Sequence, residues 1–127
     1  MEKYSVEGNQ KTPTINFDPN KGELEIYGNS IPENSVDFYK PIIAALDEYM
    51  TAPQPTTNVT FNMRYFNTSS SKRILDIFKK LETLNRNGSP VTVNWVYEDD
   101  DDDMLEAGED YESVVELTFK MVPIKAS

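Results

Sequence analysis

Cysteine and histidine are both absent from the 127 residues. Their absence removes disulfides, thiolate nucleophiles, soft-metal sites and the side chain that usually serves as general base at neutral pH. Neither a Ser-His-Asp nor a Cys-His arrangement can be assembled from this chain. No apolar run is long enough to span a bilayer. The opening Met1-Glu2-Lys3-Tyr4-Ser5-Val6-Glu7 lacks the basic-then-apolar layout of a secretory signal. A cytoplasmic location without membrane insertion is therefore expected. Positive charge is scarce too: 12 Lys and Arg against 22 Asp and Glu leave a formal net charge of −10. Nucleic-acid backbones and anionic membranes repel such a surface. The expectation is a protein without catalytic residues, cofactor or metal, and without a nucleic-acid partner.

What is present is enough to fold. Hydrophobic residues make up 38% and aromatics 11% of the chain, which suits one domain over residues 1–127. The charges are segregated. Arg64, Lys72, Arg73, Lys79, Lys80 and Arg86 share one stretch, whereas Glu98, Asp99 to Asp103, Glu106, Glu109, Asp110 and Glu112 share another. Separate patches of opposite sign suit protein partners.

Apolar periodicity outlines the elements. Tyr4 and Val6 predict a short strand. Ile15 and Phe17, then Leu24 and Ile26, alternate around the turn Asp18-Pro19-Asn20-Lys21-Gly22 and predict a hairpin with one wet face. A helix is expected from about Ser35 to about Met50, with Val36, Tyr39, Ile43, Leu46 and Met50 as its buried stripe. Pro41 predicts a kink or a later start. Val59, Phe61, Met63 and Tyr65 alternate as a strand; Asn67-Thr68-Ser69-Ser70-Ser71 follows, then Ile74, Ile77, Phe78, Leu81 and Leu84 at helical spacing. Asn87-Gly88-Ser89-Pro90 closes that helix. Val91, Val93, Trp95 and Tyr97 make a strand whose aromatics belong in the sheet core. Met104 to Tyr111 reads as a short exposed helix, and Val115, Leu117, Phe119 and Met121 as a last strand. The fold class is α/β: a single-domain sandwich, a mixed sheet of about five to six strands with two main helices and a short third, packed mainly on one side. Strand order is not readable.

The segment Tyr65-Phe66-Asn67-Thr68-Ser69-Ser70-Ser71-Lys72 carries the most chemistry. Asn, Thr and Ser cap helices by accepting the first unpaired amides. One cap needs one such side chain, yet four consecutive hydroxyls follow Asn67. A phosphoryl group there would meet free N–H groups and the positive end of the helix dipole, with Lys72 and Arg73 adding favourable charge.

The segment Asn62-Met63-Arg64-Tyr65-Phe66-Asn67-Thr68-Ser69-Ser70-Ser71-Lys72 resembles the phosphorylation site of the SiaC family of bacterial regulatory phosphoproteins. Two other stretches match the family's pattern. One is Thr12-Pro13-Thr14-Ile15-Asn16-Phe17-Asp18 with Gly22 and the Ile26-Gly28-Ser30-Pro32-Glu33 spacing. The other is Trp95-Tyr97-Glu98 through the acidic run to Met104-Leu105-Glu106-Ala107-Gly108-Glu109-Asp110-Tyr111. The resemblance implies a fold similar to the STAS-type antagonists of partner-switching systems. It also implies a kinase that phosphorylates Thr68 and a PP2C-type phosphatase that reverses it. The unphosphorylated form would bind and activate a diguanylate cyclase, promoting cyclic-di-GMP synthesis, aggregation and biofilm growth. Arg64, Asn67, Ser69, Ser70, Ser71, Lys72 and Arg73 then become candidate partner-binding residues.

Alternatives exist for each feature. An antagonist of this design could bind an anti-sigma factor and control transcription. The acidic run Glu98 to Asp103 invites a calcium reading, but an EF-hand register from Asp99 puts Met104 where the turn needs glycine; a solvated, self-repelling loop is the simpler account. Lys72, Lys79 and Arg86 recur every seven residues, as a solvent face or a docking face would. Glycosylation sequons at Asn58, Asn67 and Asn87 are set aside for want of a secretory signal.

Overall fold

The computed structural model describes residues 2–126. Its elements are β1 (Tyr4–Val6), β2 (Thr14–Asp18), β3 (Glu23–Ser30), α1 (Ser35–Tyr49), β4 (Thr57–Phe66), α2 (Thr68–Arg86), β5 (Val91–Glu98), α3 (Asp102–Val114) and β6 (Thr118–Ile124). The six strands form one sheet in sequence order. Pairings β1–β2 and β2–β3 are antiparallel, and β3–β4, β4–β5 and β5–β6 are parallel. A helix fills each parallel crossover, and every crossover advances one strand in the same direction. Right-handed crossovers of that kind place all three helices on one face.

Alternation along the strands agrees with that layering. Ile15, Phe17, Leu24, Ile26, Val59, Phe61, Met63, Val91, Val93 and Trp95 point under the helices and are buried. The other face is polar: Ser5, Asn16, Glu25, Thr60, Asn94 and Lys120 lie side by side across all six strands. On α2 the expected stripe of Ile74, Ile77, Phe78, Leu81 and Leu84 is buried in full.

α1 differs from expectation. Its buried face is Ser35, Tyr39, Ile42, Leu46 and Tyr49, a four-three repeat that shares only Tyr39 and Leu46 with the predicted stripe. Ile43 and Met50 lie on its flank, half-buried, and Val36 is 53% exposed. The reason is chemical: α1 is apolar over more than one stripe, and the seats beneath it take the two tyrosines, whose hydroxyls reach Ser30 and Thr57. Pro41 neither delays nor ends the helix, which starts at Ser35 on the Asn34 cap and runs on to Tyr49. The proline is exposed, so water can satisfy the carbonyl its missing N–H leaves free.

α3 is also a correction. It spans 13 residues and is not an exposed element, because Met104, Gly108 and Tyr111 are buried. The last strand begins later than expected, at Thr118, since Val115 is the buried C-cap of α3.

Candidate functional site

The site is built where β3 and β4 end and α1 and α2 begin. Gly28 pairs with Met63, but Asn29 pairs with Tyr65, so Arg64 is an extra residue in β4. Such a bulge reverses which side chains face the core. Before it, Val59, Phe61 and Met63 point inward; after it, Tyr65 turns out, 57% exposed, and Phe66 turns in. The Phe66 ring packs edge-on to Trp95 at 6.3 Å and meets Tyr111 at 6.4 Å. One unpaired residue thus breaks the alternation expected to run from Val59 through Tyr65.

β4 then gives way to Asn67, whose backbone is extended. Its N–H donates to the Ser30 carbonyl at 3.1 Å, and its side chain accepts from the Ser70 amide at 2.8 Å. This caps α2 and sets Thr68 as its first residue. The amides of Thr68 and Ser69, lying in the first turn, have no partner within the helix.

Four hydroxyls follow, and the fold treats them differently. Ser69 Oγ bonds Ser35 Oγ at the start of α1. Ser70 is wholly buried: Tyr39 O–H donates to Ser30 Oγ at 2.6 Å, Ser30 donates to Ser70 Oγ at 2.8 Å, and Ser70 donates to the Ser30 carbonyl at 3.0 Å. Ser71 receives the Tyr111 hydroxyl on its carbonyl at 2.9 Å, with its own Oγ 3.1 Å away. Thr68 is exposed, and its hydroxyl has no hydrogen-bond partner among the described residues. Burial pushes Tyr39 up to about 12, opposed by its hydrogen bond with Ser30, and raises Tyr111 in the same way, opposed by its bond with Ser71. Both phenols are therefore neutral donors at any physiological pH.

The basic candidates do not converge on Thr68. Arg64 Nη1 reaches Glu98 at 2.7 Å, tying the bulge to the start of the acidic run. Arg73 Nε lies 3.0 Å from the Asp76 carboxylate, an ion pair without hydrogen-bond alignment. Lys72 is exposed, one turn beyond Thr68 on the same helix face, and makes no ion pair among the described residues. Ser70, expected at a partner surface, belongs instead to the buried frame.

The acidic run has structural duties. Asp101 caps α3 by accepting the Met104 amide at 3.0 Å, and Asp102 and Asp103 occupy its first turn, where the helix dipole favours negative charge. Among the described residues, no group of three or more acidic side chains is arranged to hold a metal. α3 is fastened to β5 by the Trp95 indole N–H donating to the Met104 carbonyl at 2.9 Å. Gly108 lets it approach: a Cβ there would stand 2.5 Å from the Trp95 ring. Through Tyr111 this same helix reaches Ser71. Spacing alone did not reveal Ser30, Ser35, Tyr39 or Tyr111 as parts of the site, because each contributes only once its strand or helix is placed.

Among the described residues, no helix is long and apolar enough to cross a membrane. The model of the SiaC family regulatory phosphoprotein matches residues 6–124, almost the entire sheet and all three helices. The chain belongs to the SiaC family. It is 29% identical over 119 residues to an uncharacterized protein of Pseudomonas aeruginosa (strain UCBPP-PA14), covering 94% of each chain. The solved structure of SiaC of Pseudomonas aeruginosa superposes with a TM-score of 0.90 at 28% identity, over 98% of this chain and 100% of that one. A TM-score of 0.90 at 28% identity is also found with a crystal structure of the diguanylate cyclase SiaD in complex with its activator SiaC from the same organism, over 95% of this chain and 99% of that one. The mixed α/β fold expected from sequence is the fold of these SiaC structures.

Proposed function

We propose that this SiaC-family protein is a non-enzymatic cytoplasmic switch whose regulatory phosphoryl group is carried on Thr68. The supporting observation is the division of labour among the four hydroxyls. Those of Ser69, Ser70 and Ser71 bond α1, β3 and α3, whereas the Thr68 hydroxyl faces solvent. A kinase must reach the oxygen it modifies, and a phosphate on Ser70 would bring a dianion into the core. On Thr68 the phosphate meets the unpaired amides of the α2 N-terminus and the ammonium of Lys72 one turn on. Modification therefore changes the charge of the surface and leaves the frame beneath it intact.

In this reading a partner kinase adds the phosphate and a PP2C-type phosphatase removes it. The unphosphorylated form binds and activates a diguanylate cyclase, raising cyclic-di-GMP and favouring aggregation and biofilm growth. The solved complex of a relative with a diguanylate cyclase favours this output over an anti-sigma factor. Arg64 and Lys72 are the exposed basic side chains offered to partners, and Asn67, Ser69 and Ser71 hold the turn that presents them, with Arg73 paired to Asp76 along α2.

Fragmentation of the tryptic peptide Tyr65 to Lys72 by mass spectrometry tests the assignment in protein isolated from its own cells. Phosphate on Thr68 is expected. Phosphate on Ser69, Ser70 or Ser71 alone would overturn it, as would tight cyclase binding by fully phosphorylated protein.

A further inference from the structure

All three helices lie on one face of the sheet, so among the described residues no layer covers the other face. That bare face is ordered in rows across the strands. Glu25, Thr60, Asn94 and Lys120 form one row over β3 to β6. The next row is more apolar: Tyr27 pairs with Asn62, and Val96 with Val122. Ile124 and the outward Tyr65 extend this apolar end, and Tyr27, Tyr65 and Ile124 are all exposed. Apolar groups collected at one end of an uncovered sheet face mark an interaction surface. Over β3 to β6 the face carries Glu23, Glu25, Glu98, Arg64 and Lys120, so most of the chain's net charge of −10 lies elsewhere. Arg64 and Glu98 pair at 2.7 Å. Glu25 and Lys120 are exposed, and neither has an ion pair among the described residues. They stand three strands apart, about 14 Å, too far to meet within one chain.

We propose that a second copy of this chain docks on the bare face, sheet against sheet. The pattern is self-complementary about a twofold axis that runs along the strands between β4 and β5. That operation exchanges β3 with β6 and β4 with β5, and it keeps every row in place. Glu25 of one copy then stands opposite Lys120 of the other, and the reverse contact repeats it. Thr60 faces Asn94, a hydroxyl against an amide. Tyr27 faces Val122, Glu23 faces Thr118, and Arg64 faces Glu98. No like charges are opposed. A foreign partner would not require this internal symmetry, whereas a second copy does. β3 to β6 span about 19 Å and seven residues about 23 Å, which is small beside the roughly 800 Å² per partner of a standard interface. The dimer is therefore reversible. Both helix layers face outward, so the α2 N-terminus stays open to solvent in each copy.

Sedimentation equilibrium of the full chain, from low to high micromolar concentration, is the test. A monomer–dimer equilibrium is expected. Glu25→Lys sets lysine against lysine, and Lys120→Glu sets glutamate against glutamate. Each alone is expected to weaken dimerisation roughly tenfold or more. An equimolar mixture of the two variants should dimerise again, because both contacts of the mixed pair then join opposite charges. Val122→Ser should weaken the dimer as well, whereas Val114→Ser, which removes an exposed apolar side chain at the end of α3, should leave it unchanged. Circular dichroism melts establish that each variant folds. A wild type that stays monomeric at the highest concentration overturns the proposal. So does a dimer that both single charge variants leave intact, one that the mixture fails to restore, or an equal loss in Val114→Ser.

Discussion

Gly108→Ala adds one methyl group to α3, and the structure says where it lands. The new Cβ would lie 2.5 Å from Trp95 Cδ1, 2.6 Å from Nε1 and 2.8 Å from Cγ. Trp95 has no room to retreat. It is wholly buried, with Phe61 stacked at 5.8 Å, Tyr111 at 5.6 Å and Phe78 at 6.4 Å. α3 must lift instead, which stretches the indole bond to the Met104 carbonyl. Overpacking costs about 1–3 kcal/mol, and an orphaned buried indole N–H about 1–3 kcal/mol more. Alanine returns about 1 kcal/mol of helix propensity over glycine. The balance is a destabilisation of about 3 kcal/mol, or roughly 10 °C in Tm for a domain of this size. Urea unfolding is the assay, followed by fluorescence, because Trp95 is the sole tryptophan and reports on this contact directly. Circular dichroism supplies an independent probe. An unchanged midpoint would show that α3 shifts freely, and a gain of about 1 kcal/mol would show that propensity alone decides. Either result refutes the packing argument.

Asn67→Ala removes the cap of α2 and should cost about 1 kcal/mol; hydrogen exchange should quicken at the Ser70 amide, which donates to Asn67, and unchanged protection there would mean the cap is not the constraint. Tyr111→Phe deletes the only described side-chain bond from α3 to Ser71, with an expected loss of about 1 kcal/mol in urea unfolding. Glu82 is held below the usual glutamate range, first by the Glu116 N–H it accepts at 2.7 Å, then, against its burial, by Lys79 and Arg86. A lowered folded-state pKa means its stabilisation is present above the ordinary glutamate value and lost as pH falls through the depressed one. The stability gap between wild type and Glu82→Gln should therefore be widest near neutrality and close in acid; a gap independent of pH would sink the assignment. Tyr39 shifts the other way. With its folded value near 12, stability should decline only once pH rises above about 10, where the unfolded phenol ionises first.

How far the sequence carries depends on the element. The stripe of α2 was legible because one face of that helix is apolar and the opposite face is charged. On α1 two overlapping apolar stripes compete, and periodicity chose the one containing Val36 and Met50. What decided otherwise was the pairing of Tyr39 and Tyr49 with Ser30 and Thr57, partners on the flanking strands β3 and β4 that helical periodicity does not register. The β4 bulge is invisible to alternation, since it exists only in the register with β3. α3 was more readable than the short exposed helix expected. Asp101 before Asp102 and Asp103 is a helix-start signal, and Met104, Gly108 and Tyr111 already show four-three spacing. A self-repelling loop accounts for the charges of the run but hides the earlier helix start at Asp102 and the buried face.

The same distinction governs the site. Residue types alone cannot rank Thr68 above Ser69, Ser70 and Ser71, because any of the four is a competent acceptor at a helix start. Ranking them requires knowing what each hydroxyl already holds, and those partners lie 34 to 40 residues away in sequence. A switch of this kind needs both classes of hydroxyl. If the serines were as loosely held as Thr68, a phosphate would rearrange the turn, and its energy would be spent in deforming the protein. With Ser70 tied into the Ser30 and Tyr39 chain, and Ser71 tied through Tyr111 to α3, the turn is rigid. A phosphate on Thr68, as proposed, would then be felt by whatever approaches the surface.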